Sequence, residues 1–284
     1  MDYNHTIQLK DGRVLAYSEH GVPDGTPILY FHGAPGSCFE HLPKTLLNNH
    51  SIRLIVPDRP GYGGSTFQAN RTLLSWADDV VQLLNALALE TIPIFGFSAG
   101  GVYALACAYK IPERLNNVTI AGSLAPFNIE GLTQNLLEQN KALFENAKSD
   151  PTALVEQLEE HAPTADAFFA AVETLVSDED KKLLNENKEL KTMYLSNLAG
   201  AIQQGMRGFV HDLAILSSPW GFEVAQISKH ITLWQGQLDR TVPIEMYQYF
   251  SKTLPQNNGS IIECTGHFIT FSHAKKILED FILD

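Results

Sequence analysis

Cysteine is scarce in this 284-residue chain: Cys38, Cys107 and Cys264 are odd in number and widely spaced, which argues against a disulfide framework. A reducing, cytoplasmic setting is the simpler reading. No apolar run approaches the roughly 20 residues that cross a bilayer. Met1-Asp2-Tyr3-Asn4-His5 lacks the basic flank and apolar segment of a secretory leader, so no membrane partner is expected. Basic residues are in the minority, 20 Lys and Arg against 32 Asp and Glu, and a net charge of −12 would repel the phosphates of a nucleic acid. The glycine-rich stretch Asp58 to Ser65 lacks both G-x-x-x-x-G-K-[ST] and G-x-G-x-x-G, so it implies a turn and no nucleotide site. H-E-x-x-H and paired C-x-x-C are missing too, and Cys264 with His267 is too small a set for a metal.

What is present is the texture of a globular α/β protein. Thr6 to Lys10 alternates in period two, Asp11-Gly12 supplies a tight turn, and Arg13 to His20 alternates back, which predicts an N-terminal hairpin. Apolar runs then alternate with helical spacing. Strands are expected at Ile28–Phe31, Ile52–Val56, Ile92–Phe97 and Val118–Ala121. Helices are expected at Phe39–Asn49, Leu73–Leu89 and Ala99–Lys110. Such alternation implies a mostly parallel sheet with right-handed crossovers and helices on both faces. The rhythm stops near Pro126. From about Phe127 to Ser218 only helical periodicity is present, and strands resume at Ile231–Trp234 and Ser260–Glu263, with a last helix from about Phe268. The expected organisation is therefore one α/β core, residues 1–125 and 219–284, with a helical insertion at 126–218. Within that insertion Asp178-Glu179-Asp180 followed by Lys181-Lys182 reads as a helix start with a solvated face.

Gly96-Phe97-Ser98-Ala99-Gly100 is G-x-S-x-G, directly after an apolar strand and opening a helix. That context suits a serine on a strained turn, with small neighbours that let the backbone bend and the hydroxyl project into open space. Taken with His32-Gly33-Ala34-Pro35-Gly36, Asp58-Arg59-Pro60-Gly61-Tyr62-Gly63-Gly64-Ser65, Gly236-Gln237-Leu238-Asp239 and Gly266-His267-Phe268, each at a strand's end, the chain resembles the α/β-hydrolase fold enzymes. The resemblance covers nearly the whole chain and implies that the insertion is a cap over the site.

A serine hydroxyl needs a base to take its proton and a third group to orient that base. In the family the chain order is Ser, then Asp or Glu, then His, which Ser98, Asp239 and His267 follow. His273 competes for the base but falls inside the expected last helix, and Asp212 competes for the acid but falls in the insertion. The resemblance also implies two backbone N–H donors for an oxyanion, Ala99 and Ala34, since Pro35 has no N–H to give. His32 reads as a structural tie for its loop. Phe168-Phe169 and Met206 to Phe209 read chiefly as packing, with pocket lining as the alternative.

The expected activity is that of a serine hydrolase, a carboxylesterase acting on a small-molecule acyl ester through an acyl-enzyme. No cofactor is required by that chemistry. A proline iminopeptidase-like aminopeptidase is the nearest rival, although such enzymes typically carry Trp after the serine and this chain has Ala99. A ligand-binding or signalling protein that keeps the three residues but turns over slowly is a further alternative. Oligomeric state is not legible.

Overall fold

The apolar runs become the middle of one sheet, because a strand covered by helices on both faces has no solvent side to furnish with polar residues. The computed structural model describes residues 5–283. The four residues before these, on which the reading of the leader rested, lie outside the described residues. The first half of the chain forms β1 (His5–Gln8), β2 (Val14–Gly21), β3 (Thr26–Phe31), α1 (Lys44–Asn49), β4 (Ile52–Pro57), α2 (Leu73–Ala86), β5 (Ile92–Phe97), α3 (Ala99–Lys110) and β6 (Leu115–Ala121). Six helices follow: α4 (Glu138–Ser149), α5 (Pro151–His161), α6 (Ala165–Leu175), α7 (Asp178–Glu186), α8 (Lys188–Ala201) and α9 (Arg207–Leu216). The chain then adds β7 (Ile231–Gly236), α10 (Ile244–Thr253), β8 (Asn257–Ile262), α11 (Ile269–Ser272) and α12 (Ala274–Leu283).

The strands lie in the order β1-β2-β4-β3-β5-β6-β7-β8; β2 runs antiparallel to both of its neighbours, β1 and β4, and the pairs from β4 to β8 are parallel. This is the expected α/β-hydrolase architecture, hairpin included. Ile28 to Phe31 and Leu54 to Val56 are fully buried. Helix α3 is buried from Ala99 to Ala108, and its small side chains let it lie close against β3, β5 and β6. Trp76 of α2 meets Phe31 edge-on, ring centroids 5.5 Å apart. Between β6 and β7, α4 and α5 pack on α9, and α6 and α7 pack on α8.

Three expectations change in detail. The helix expected over Phe39–Asn49 covers only Lys44–Asn49, because Pro43 sets its start and Glu40 is drawn back under the loop after β3. The last helix is broken at His273, which forms the C-cap of α11 and pairs with Ser272 Oγ at 2.9 Å. The acidic start of α7 is not wholly solvated, since Asp180 is buried.

Parallel strands deliver their C-terminal ends to one edge. The chain steps from β3 to β4 on one side and to β5 on the other, so the loops after β3 and β5 diverge and leave a crevice. The loops after β7 and β8 open on the same edge. Among the described residues no helix is long and apolar enough to cross a membrane.

Candidate active site

Ser98 follows β5 without an intervening residue and adopts φ 53°, ψ −122°. A left-handed φ on a residue with a Cβ costs about 1–3 kcal/mol, so surrounding structure must impose it. Here the Ser98 N–H donates to Ala121 O at 2.9 Å, and Gly101 N–H donates to Ser98 O at 3.0 Å. Gly100 is required at the bend, since a Cβ there would run into the carbonyl oxygen of Phe31 and lie 2.8 Å from that of His32. The result aims Ser98 Oγ at His267 Nε2, 3.1 Å away.

His267 Nδ1 lies 2.8 Å from Asp239 Oδ2. A carboxylate oxygen can only accept, so Nδ1 carries the proton and Nε2 is left to accept from the serine. Asp239 is itself fixed: Oδ1 accepts from the N–H groups of Thr241 and Val242, both at 2.8 Å, and Oδ2 accepts from Gln235 Nε2 at 3.2 Å. Its side chain is fully buried. Burial pushes the imidazole pKa down, but the negative charges of Asp239, Asp180 and Glu40 outweigh it, and the net shift is upward from 6.5.

Asp180 is the residue that the sequence reading missed. Its Oδ2 accepts the backbone N–H of His267 at 2.8 Å and its Oδ1 that of Phe268 at 2.9 Å. The same carboxylate caps its own helix, taking the Ser177 hydroxyl at 2.8 Å. A Cβ on the neighbouring Gly266 would collide with both Asp180 Oδ2 and Ser177 Oγ, so the β8 loop lies against the first turn of α7. The local signal, Ser177-x-x-Asp180, marked only the helix start.

The loop after β3 is braced by buried charge. Glu40 Oε1 accepts from Gly33 N–H at 3.0 Å and Tyr30 Oη at 2.9 Å, while its Oε2 accepts from Asn197 Nδ2 of α8 at 3.1 Å. Burial raises its pKa to about 7 against the lowering effect of those donors. Arg59 donates to His32 O at 2.6 Å and Gly33 O at 2.7 Å, and pairs with Asp212 at 2.9 Å. Asp212 also takes Arg71 at 2.5 Å and the Tyr103 hydroxyl at 2.6 Å. Burial alone would raise the Asp212 pKa, but the two guanidinium groups bring it well below the carboxylate range. His32 is kept neutral by burial and by the charge of Arg59; its Nδ1 meets Gly33 O at 2.8 Å, so it ties its loop as expected.

Ser98, His267, Ala34 and Ala99 border one cavity of about 180 Å³ with a predominantly apolar wall. The backbone N–H groups of Ala34 and Ala99 have no hydrogen-bond partner among the described residues. Phe168 and Phe209 join the wall, rings 5.6 Å apart, whereas Phe169 packs on Tyr194. No group of three or more His, Cys, Asp or Glu that could hold a metal occurs among the described residues.

Comparison with known proteins agrees with this geometry at the level of the fold. A family model described as the alpha/beta hydrolase fold matches residues 26–274. A 2-hydroxymuconate semialdehyde hydrolase of Pseudomonas putida is 23% identical over 93% of this chain and 90% of its own length. A proline iminopeptidase of Xylella fastidiosa is 30% identical over 53% of this chain, and the match spans 49% of that enzyme. An uncharacterized hydrolase of Bacillus subtilis is 35% identical over 40% of this chain and 39% of its own length. Among solved structures, an enol-lactonase from Burkholderia xenovorans superposes with a TM-score of 0.74 at 16% identity, covering 99% of this chain and all of that one (100%).

Proposed function

The chain belongs to the alpha/beta hydrolase fold family, and on that premise we propose that it is a serine carboxylesterase acting on a small-molecule ester. One observation carries the reading: the run of contacts from Ser98 Oγ to His267 Nε2 at 3.1 Å, and from His267 Nδ1 to Asp239 at 2.8 Å, on the wall of an apolar cavity. In this reading His267 takes the Ser98 proton as Oγ attacks the ester carbonyl. The oxyanion that forms is received by the Ala99 and Ala34 N–H groups. The tetrahedral intermediate collapses, the ester C–O bond breaks, and His267 returns the proton to the departing alcohol. Water, activated by the same imidazole, then releases the acid from Ser98. Asp239 holds the tautomer and offsets the imidazolium charge. Helices α4–α9 serve as the cap that excludes bulk solvent and selects the acyl group.

An aminopeptidase would need an acidic group free to receive a substrate ammonium. Glu40 borders the cavity, but its oxygens already take Tyr30, Gly33 and Asn197. The ester reading is therefore preferred. Hydrolysis of short- and medium-chain p-nitrophenyl esters by wild type and by Ser98→Ala tests it. Turnover lost in the variant is the expected result; turnover retained in Ser98→Ala, or a wild type faster on prolyl amides than on esters, would overturn it.

A further inference from the structure

The cavity beside Ser98 is apolar in most of its wall, yet the insertion helices bring two polar side chains to it. Asn140 of α4 is 7% exposed and Tyr194 of α8 is 5% exposed, and both border the cavity. Neither the Asn140 amide nor the Tyr194 hydroxyl has a hydrogen-bond partner among the described residues. The Asn140 amide and the Tyr194 hydroxyl are not sealed from solvent, whereas Thr241 Oγ1, also on this wall, is buried with no partner among the described residues, and a buried unpaired polar group is costly. Asn140, Tyr194 and Thr241, unpaired on one otherwise apolar wall, point to a ligand that pairs them, since binding pockets use a few placed polar groups to orient a bound molecule.

The rest of the wall narrows the chemistry. Apart from the Tyr194 phenol its ionisable side chains are Glu40 and His267, and no Lys or Arg borders the cavity among the described residues. A substrate carboxylate or phosphate would find no counter-charge there and would face Glu40. A neutral oxygen meets no such penalty and can accept from the Asn140 amide and the Tyr194 hydroxyl. At about 180 Å³ the space is close to that of an apolar cavity that holds benzene. We propose that this cavity takes a compact acyl group bearing a neutral oxygen, a ketone or hydroxyl, remote from the scissile carbonyl, with Asn140 as the residue that selects it. This rests on the esterase reading for the chemistry at Ser98, but not for binding.

The test compares p-nitrophenyl 5-oxohexanoate with p-nitrophenyl 5-methylhexanoate, in which a methyl replaces the oxygen. Wild type is expected to favour the oxo ester by about tenfold in kcat/KM, the scale of one neutral hydrogen bond. Asn140→Leu, similar in volume, should bring the ratio near one. Equal rates in wild type, or an unchanged ratio in the variant, overturn the proposal. Binding of acetophenone against cumene to Ser98→Ala, read by ligand-detected NMR, asks the same question without turnover. A preference for acetophenone that Asn140→Leu abolishes supports the subsite even where both esters are inert, in which case the esterase reading alone fails. Ester turnover with no oxo preference leaves that reading standing and removes the subsite. Should Asn140→Leu fail to fold, the wild-type pairs alone still decide.

Discussion

The turn that carries Ser98 and the loop that carries His267 face each other across 3.1 Å but are supported in opposite ways. Ser98 is held by its immediate surroundings, by the strand before it, the helix after it and one hydrogen bond to the neighbouring strand end at Ala121. His267 is held from a distance, its own N–H and that of Phe268 captured by a carboxylate 87 and 88 residues earlier in the chain. The first arrangement is a property of the sheet. The second makes the placement of the imidazole depend on how α7 sits against the sheet.

Removing the serine hydroxyl tests the first half of that contrast and should have the largest effect. Ser98→Ala is expected to lower ester turnover by about 10⁴-fold or more, and to abolish labelling by a fluorophosphonate while far-UV circular dichroism stays unchanged. Labelling that persists at another residue would remove the assignment of the nucleophile.

Asp180→Ala probes the second half. It deprives two backbone N–H groups of their acceptor and frees the loop, and a misplacement of about 1 Å at a reacting group costs about 10²-fold in kcat. Asp180→Asn, which keeps one carbonyl acceptor, should lose less. A kcat unchanged in Asp180→Ala would dissolve the contrast altogether.

The smallest effect is on the pH profile. In the proposed mechanism His267 would act as a base only when neutral, and its pKa is raised above 6.5. Activity should therefore be full at alkaline pH and fall as pH drops, with a midpoint above 6.5. Because the Asp180 charge contributes to that upward shift, Asp180→Asn should move the limb to lower pH. A rate flat from pH 5 to 8 would argue against an imidazole base.

The same contrast explains what was legible in the sequence. Strand, serine turn and helix are contiguous from Ile92 to Lys110, so local pattern sufficed for Ser98. Asp239 and His267 could be named as candidates because each follows a strand in a recognised order, and the structure brings them within 2.8 Å of each other. Asp180 was hidden because a capping box and a support for the base loop look identical in sequence; only tertiary contact separates them. Glu40 fell within an expected helix, and nothing in the sequence said that its carboxylate would turn under Gly33. Asn140 resembles any polar residue on a surface helix until the fold buries it.

Arg59 does not border the cavity, yet it acts on the wall through a peptide plane. The Gly33–Ala34 bond is trans, and a trans amide points its N–H away from its C=O. With Gly33 O turned toward the Arg59 guanidinium at 2.7 Å, the Ala34 N–H is directed the opposite way. The cation also draws electron density toward that oxygen, which makes the N–H at the other end of the amide a stronger donor. The ion cluster of Arg59, Asp212 and Arg71 thus polarises one peptide group from behind, which under the proposed esterase mechanism would hold a dipole ready before a substrate carbonyl develops charge in front of it.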